Sequence, residues 1–310
     1  MKDYGKEAPR ICVVGSSNMD LISKIPRLPR MGETLVGSSF HMGCGGKGAN
    51  QAVMAALMGA RVVMVTRLGR DSMGEMTLAN FKARGIDTRF VSFDEERFSG
   101  VAPILVDADG RNMVIIVPGA NDGLSPEDVR QAEEAIAASE TLVCQLEVPL
   151  DTTIEALRTA RKHGVRTIFN PAPACRLPEG MLGLCDITAP NETEIEALTG
   201  KPARTREEVE AAARTLREQG ARTVLVTLGE RGCLVMDDIG TELIPGVRTT
   251  AVDTTGAGDA FIGSLAYFLT AGMELRESAR RANAVAALSV TRTGTQVSFP
   301  GRDEMAGLLA

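Results

Sequence analysis

Short β-branched runs alternate with helix-patterned segments along most of this chain, and this alternation constrains the fold more than any other feature. ICVVG at 11–15, VVMVT at 62–66, TLVCQL at 141–146, RTIFN at 166–170 and TVLVTLG at 223–229 read as buried strands. Between them, QAVMAALMG (51–59), SPEDVRQAEEAIAAS (125–139), TTIEALRTARKHG (152–164) and REEVEAAARTLREQG (206–220) read as helices. FIGSLAYFLTAG (261–272) and the stretch 274–290 continue the helical pattern. Pro126 at a first helical position, and Gly164 and Gly220 just past helix ends, punctuate these segments. The order predicts a mainly parallel sheet covered by helices on both faces. Two stretches break the rhythm. MDLISKI (19–25) and TLVGSSFHM (34–42) have no helix between them, and GVAPILV (100–106) and MVIIV (113–117) flank a hairpin turn, DADGRN. These four runs are expected to form a small separate sheet, so the chain reads as one α/β body with a β insertion.

Composition removes several functions. With 34 Lys+Arg against 40 Asp+Glu, the net charge is −6, and a nucleic-acid partner lacks its basic footprint. The only histidines are His41 and His163, so no multi-histidine metal site can be built and a carboxylate is the better candidate base. Cys12, Cys44, Cys144, Cys175, Cys185 and Cys233 form no C-x-x-C pair, which argues against zinc and thioredoxin-type chemistry. Scattered cysteines read as reduced and intracellular. MKDYGKEAPR lacks a signal-peptide core and there is no long apolar run, so a cytoplasmic protein with no membrane partner is expected.

Three glycine-rich segments carry the chemical signals. Gly43, Gly45 and Gly48 satisfy G-x-G-x-x-G, but about thirty residues after the first strand, where a dinucleotide fingerprint does not belong. Lys47 is followed by Gly48 rather than Ser or Thr, so this is no P-loop either. The segment is either a plain turn into a helix or a close backbone approach to a polar ligand, with Lys47 and Asn50 as donors. In Asp253-Thr254-Thr255-Gly256-Ala257-Gly258-Asp259, glycines at a helix start let backbone N–H groups converge on an anion. Simple capping is the alternative, though two aspartates exceed what a cap needs. The third, Thr227-Leu228-Gly229-Glu230-Arg231-Gly232, ends a strand where α/β ligands sit. Asn191 and Glu194 have the spacing of a capping box.

Taken in order, VVGSSNMD (13–20), GGKGANQ (45–51), NPAPA (170–174), PNETE (190–194), AVDTTGAGD (251–259) and GTQVSFP (294–300) resemble the ribokinase family of carbohydrate and nucleoside kinases over essentially the whole chain. The resemblance implies a ribokinase-like fold: a Rossmann-like three-layer α/β/α domain from 1–16, 44–97 and 119–310, with a discontinuous β lid from 17–43 and 98–118. It implies transfer of a phosphoryl group from ATP to the 5-hydroxyl of D-ribose. Asp259 would be the base, and amides of Gly256, Ala257, Gly258 and Asp259 the anion hole. Asn18, Asp20, Gly46, Lys47, Gly48, Ala49, Asn50 and Glu147 would grip the sugar, under Ala102, Ile104 and Ile116. Asn191, the turn Thr227, Leu228, Gly229, Glu230, Arg231 and Gly232, together with Gly258, Asp259 and Asn283, would meet ATP. Glu194 would hold the water shell of Mg²⁺. A K⁺ ion would take the Asp253 carboxylate, the Ser298 hydroxyl and the carbonyls of Thr255, Ser289, Arg292 and Gly294. A homodimer through the lid is also implied, since a small open sheet has exposed edges.

Among rivals, a 2-deoxyribose kinase is nearest, and Asn18 argues for a sugar that carries a 2-hydroxyl. Fructokinase and nucleoside kinase readings are weaker on the lid motifs. A non-catalytic sugar-binding regulator would not need Asp259 and its glycines, and NAD chemistry lacks the acidic residue after a second strand. His163, His41 and Cys44 receive no catalytic role.

Overall fold

The computed structural model describes residues 8–309. The strands are β1 (Arg10–Val14), β2 (Asn18–Lys24), β3 (Ser39–Gly45), β4 (Arg61–Gly69), β5 (Asp87–Asp94), β6 (Gly100–Val106), β7 (Asn112–Val114), β8 (Thr141–Cys144), β9 (Arg166–Phe169), β10 (Ile187–Thr188), β11 (Thr223–Thr227), β12 (Cys233–Met236) and β13 (Thr241–Ile244). The helices are α1 (Lys47–Leu57), α2 (Ser72–Ala83), α3 (Pro126–Gln131), α4 (Glu133–Ala137), α5 (Leu150–Lys162), α6 (Glu192–Thr199), α7 (Arg206–Glu218), α8 (Ala257–Thr270), α9 (Leu275–Ser289) and α10 (Ala306–Leu309).

Nine strands form the main sheet in the order β13-β12-β11-β10-β9-β8-β1-β4-β5. From β11 to β5 every pairing is parallel, and β12 and β13 close the other edge as an antiparallel hairpin. The central strand β1 shows why its sequence is a continuous apolar run. Ile11 and Val13 enter one core layer with α1, α8 and α9, while Cys12 and Val14 enter the other with α5 and α7. A strand covered on both faces has no solvent side to alternate toward.

The second sheet, β3-β2-β6-β7, draws on the four runs that break the rhythm, but TLVGSSFHM is not the strand expected: β3 begins at Ser39, where its partner β2 ends at Lys24, leaves 34–38 outside the sheet and runs on to Gly45. Its β2 and β6 are parallel, with Asp20 opposite Ala102 and Ile22 opposite Ile104. MVIIV does not continue as a strand: β7 stops at Val114. Ile115 N donates to Pro103 O at 3.0 Å, but proline has no N–H to return the bond, and Val117 rejoins only as a single bridge to Val101. The 125–139 segment is likewise two helices, meeting at Ala132 (φ −91°, ψ 4°).

Candidate active site

The carboxyl ends of the parallel strands converge on the start of two helices. After β1 come Ser16 and Ser17; after β8, Gln145 and Glu147; after β9, Asn170; after β10, Asn191. Helix α1 has no side chain of its own capping its N-terminus. Glu147 from the β8 end serves instead, its Oε2 accepting from Lys47 N at 3.0 Å and from Ser16 Oγ at 2.6 Å. A carboxylate is favoured there by the helix dipole.

The glycines before α1 have a structural reason that the sequence left open. Gly46 adopts φ +87°, and a Cβ on Gly48 would lie 2.7 Å from the Gly15 carbonyl carbon and from Ser16 N. At Gly48 the close approach is to the chain's own β1–β2 connection. Ala49 N donates to Ser16 O at 2.9 Å across the same contact.

Helix α8 begins differently. Gly256 is its N-cap in the left-handed region (φ +79°), no side chain caps the helix, and Asp259 lies in its first turn. A Cβ on Gly258 would meet nothing within 4 Å, so the turn is open on that side. Asp259 is buried, and both its oxygens accept from α1: Asn50 Nδ2 at 2.8 Å and Gln51 Nε2 at 2.9 Å. The first turns of α1 and α8 are thereby locked together.

Of the predicted sugar residues, Asn50 touches Asp259, and Asp20 and Lys47 lie close enough to feel its charge. Asn18 is buried, its Oδ1 accepting from Asn121 Nδ2 at 2.7 Å. No hydrogen bond is made by its Nδ2 among the described residues. Asp20 sits on the same strand, accepting from Thr295 Oγ1 at 3.0 Å. Burial, with Glu147 and Asp259 nearby, pushes its carboxyl up to about 6 against the opposing effect of the Thr295 hydroxyl. For Lys47, burial alone would lower the ammonium, yet Asp259, Glu147 and Glu194 raise it. Ala102 and Ile104 are buried on β6, whereas Ile116 is 46% exposed beyond the end of β7.

Glu194 and Asn191 form the capping box that their spacing suggests: Glu194 N donates to Asn191 Oδ1 and Asn191 N to Glu194 Oε2, each at 2.8 Å. Burial nevertheless raises the Glu194 carboxyl, with Asp259 adding to the rise and the Asn191 amide and Lys47 opposing it. Thr227 N donates to Pro190 O at 3.0 Å, bringing the 227–232 turn beside this cap. Within that turn Leu228 is buried, Gly229, Glu230 and Arg231 form a single helical turn, and Leu228 N donates to Gly232 O at 2.8 Å. Arg231 pairs with Glu192 and donates to Arg204 O at 2.7 Å. Asn283 is buried on α9, with Nδ2 donating to Pro245 O at 3.4 Å.

The segment before α8 is folded against the one after α9. Asp253 Oδ1 accepts from Thr255 N and Oδ2 from Gly294 N, each at 2.9 Å, and Ser298 Oγ donates to Thr295 O at 2.8 Å. Among the described residues no N–H donates to the carbonyls of Thr255, Ser289, Arg292 or Gly294. Carbonyl oxygens left without partners beside a carboxylate are the kind of donors that suit a hard cation.

The sequence reading missed the amides behind the site: Gln51, Gln145, Asn170, Gln296 and Asn121. Gln51, Asn170 and Gln296 lie inside the quoted motifs, so their signal was present. Gln145 and Asn121 acquire meaning only through contacts more than 90 residues away in sequence. His163 makes a surface contact with Glu133, 2.7 Å from Nε2, and His41 is exposed on β3.

A mainly parallel sheet, a second β sheet, and a carboxylate held at a glycine-rich helix start make up the frame of the site. The family profile described as pfkB family carbohydrate kinase matches residues 8–302, and the chain belongs to that family. Its relatives narrow the class. It is 43% identical to deoxyribokinase of Salmonella typhi over 95% of this chain and 96% of the relative. It is 41% identical to the ribokinase of Mus musculus, over 97% and 94%. The structure of Arabidopsis thaliana ribokinase complexed with ribose and ATP superposes with a TM-score of 0.90 at 32% identity, covering 98% of this chain and 99% of that one. The protein is a sugar kinase with a ribokinase-like fold.

Proposed function

We propose that the chain transfers the γ-phosphoryl group of ATP to the 5-hydroxyl of D-ribose, giving ribose 5-phosphate and ADP. The observation that carries this reading is Asp259, held through both oxygens at the start of α8 beside an open Gly258. The 5-oxygen attacks the γ-phosphorus as its proton passes to Asp259. The bond from phosphorus to the bridging oxygen breaks, and the electron pair leaves with ADP. Amides of Gly256, Ala257, Gly258 and Asp259 stabilise charge on the transferring group, which is the main demand of a loose phosphoryl transition state. A carboxylate suffices as base because little proton transfer is needed early in such a step.

Asn18, with an unshared Nδ2, faces the 2-hydroxyl, and Asp20, Lys47, Asn50 and Glu147 hold the remaining hydroxyls. Ala102, Ile104 and Ile116 cover the ring as the lid excludes water, a competing acceptor. Asn191, the 227–232 turn and Asn283 receive ATP. Glu194 would hold the water shell of Mg²⁺, which would supply screening of charge on the phosphates. The unpartnered carbonyls of Thr255, Ser289, Arg292 and Gly294 beside Asp253 would hold K⁺, which would order the turn that leads into the anion hole. Exposed Phe40, Met42, Met113 and Val114 on the small sheet support a homodimer through the lid. A mass near one chain of 32.9 kDa by light scattering at working concentration would remove the dimer. Reduced scattered cysteines support a cytoplasmic location.

A second reading, a 2-deoxyribose kinase, is favoured by the Salmonella relative. Coupled ADP release measured with ribose, 2-deoxyribose, fructose and adenosine decides between them. The expected order puts ribose first in kcat/KM; a preference for the deoxy sugar would overturn the assignment, and no sugar-dependent ADP would leave a non-catalytic regulator.

A further inference from the structure

A set of buried carboxamides converges on Asp259, and its polarity is dictated from the carboxylate outward. A carboxylate only accepts, so Asn50 and Gln51 must each present nitrogen to it. Gln51 Nε2 also donates to Asn170 Oδ1 at 3.1 Å, and Asn170 is itself oriented by donating Nδ2 to Ala189 O at 2.8 Å. Gln51 Oε1 is thereby obliged to accept, which it does from Gln145 Nε2 at 2.6 Å. On the other side, Asn50 Oδ1 accepts from Gln296 Nε2 at 2.9 Å, and Gln296 Oε1 from Asn80 Nδ2 at 2.8 Å.

One member is held against its own hydrogen-bonding interest. Gln145 is fully buried, and its Oε1 has no partner among the described residues. That oxygen faces Gly15, where a Cβ would lie 2.0 Å away. Turning the amide over would set Oε1 against Gln51 Oε1, two acceptors face to face. A buried unsatisfied acceptor is destabilising, so the arrangement preserves an orientation rather than stability.

We propose that Gln51, and Gln145 acting through it, are positioning residues that fix the plane of the Asp259 carboxylate for the incoming hydroxyl. This rests on the reading of Asp259 as the base. Asn50 holds Oδ2 from the helix turn that also meets the sugar. Gln51 holds Oδ1 from behind, where only protein surrounds it, so its loss disturbs aim rather than sugar binding.

Steady-state kinetics and thermal midpoints of Gln51→Met, Gln145→Met and the double variant test this, methionine being close in shape. Each single change is expected to lower kcat about tenfold or more, with the sugar KM within about twofold, because small misplacements of a reacting group are costly. Gln145→Met removes the unpartnered Oε1 but also the donor to Gln51 Oε1, so one buried acceptor is left unsatisfied as before and the thermal midpoint is expected to stay near that of the wild type. In the Gln51→Met background, Gln145→Met is expected to add no further loss, since its effect passes through Gln51. Wild-type kcat in either single variant, or losses that multiply in the double, overturns the proposal. Gln145→Leu replaces Gln145→Met if the latter does not fold. Asp259→Asn separates the two levels: if it retains kcat, the base assignment falls and this proposal with it. If it is inactive while Gln51→Met is not, only the positioning role falls.

Discussion

Asp20 ties sugar binding to pH in a window where an ordinary aspartate is silent. It is 7% exposed, and its carboxyl is pushed from 3.8 up to about 6, first by burial and then by Glu147 and Asp259. A sugar hydroxyl that donates to Asp20 needs the ionised form. At pH 7 about nine tenths of Asp20 is ionised, and at pH 5 about one tenth, so sugar affinity should fall about tenfold between them, whereas a group at 3.8 would hardly change. The sign for stability follows from the same shift. The folded chain prefers neutral Asp20, so a folding cost of about 3 kcal/mol is fully present above pH 6. That cost fades as pH falls from 6 toward 3.8. Calorimetric titration of ribose without nucleotide, from pH 5 to 8, reads the affinity directly and avoids coupling enzymes. Asp20→Asn should bind more weakly at pH 7, lose the pH dependence and melt at a higher temperature at pH 8. An affinity that stays flat from pH 7 to 5, or a dependence that survives Asp20→Asn, would refute the reasoning.

Thr295→Val removes the hydroxyl that holds the Asp20 carboxyl down, so the midpoint of the same titration should move to higher pH. Gly48→Ala forces a Cβ against the backbone of Gly15 and Ser16; a loss of about 2–3 kcal/mol is expected in chemical denaturation, and an unchanged midpoint would contradict the close approach. Asn18→Ala should lower the preference for ribose over 2-deoxyribose in kcat/KM by about tenfold or more, as one hydrogen bond to a hydroxyl is lost. Replacing K⁺ by tetramethylammonium should depress kcat, and equal activity in both would remove the cation from the 253–298 loops.

Much of the fold was legible because its cause is local. The apolar run of β1 declares burial on both faces. The capping-box spacing of Asn191 and Glu194 and the Pro126 at a first helical position declare helix starts. Other elements were not legible. β10 has two residues and no pattern to read, and β12 and β13 are short runs whose pairing depends on β11. MVIIV has the composition of a strand, but its length is decided by a proline on the neighbouring strand.

The same division runs through the site. By itself the sequence determined the glycine-rich helix start at 256–259, the carboxylate that follows it, and the ordered motifs that mark a sugar kinase, because each is encoded within a few residues. Only the tertiary structure decided what surrounds that carboxylate. Gln145, Asn170 and Gln296 reach Gln51 and Asn50 across separations of 94, 119 and 246 residues. Gly48 is required by a β1–β2 connection that it meets only after the chain has closed. Hydrogen-bond polarity and steric contact between distant segments exist only once packing has brought their atoms within about 3 Å.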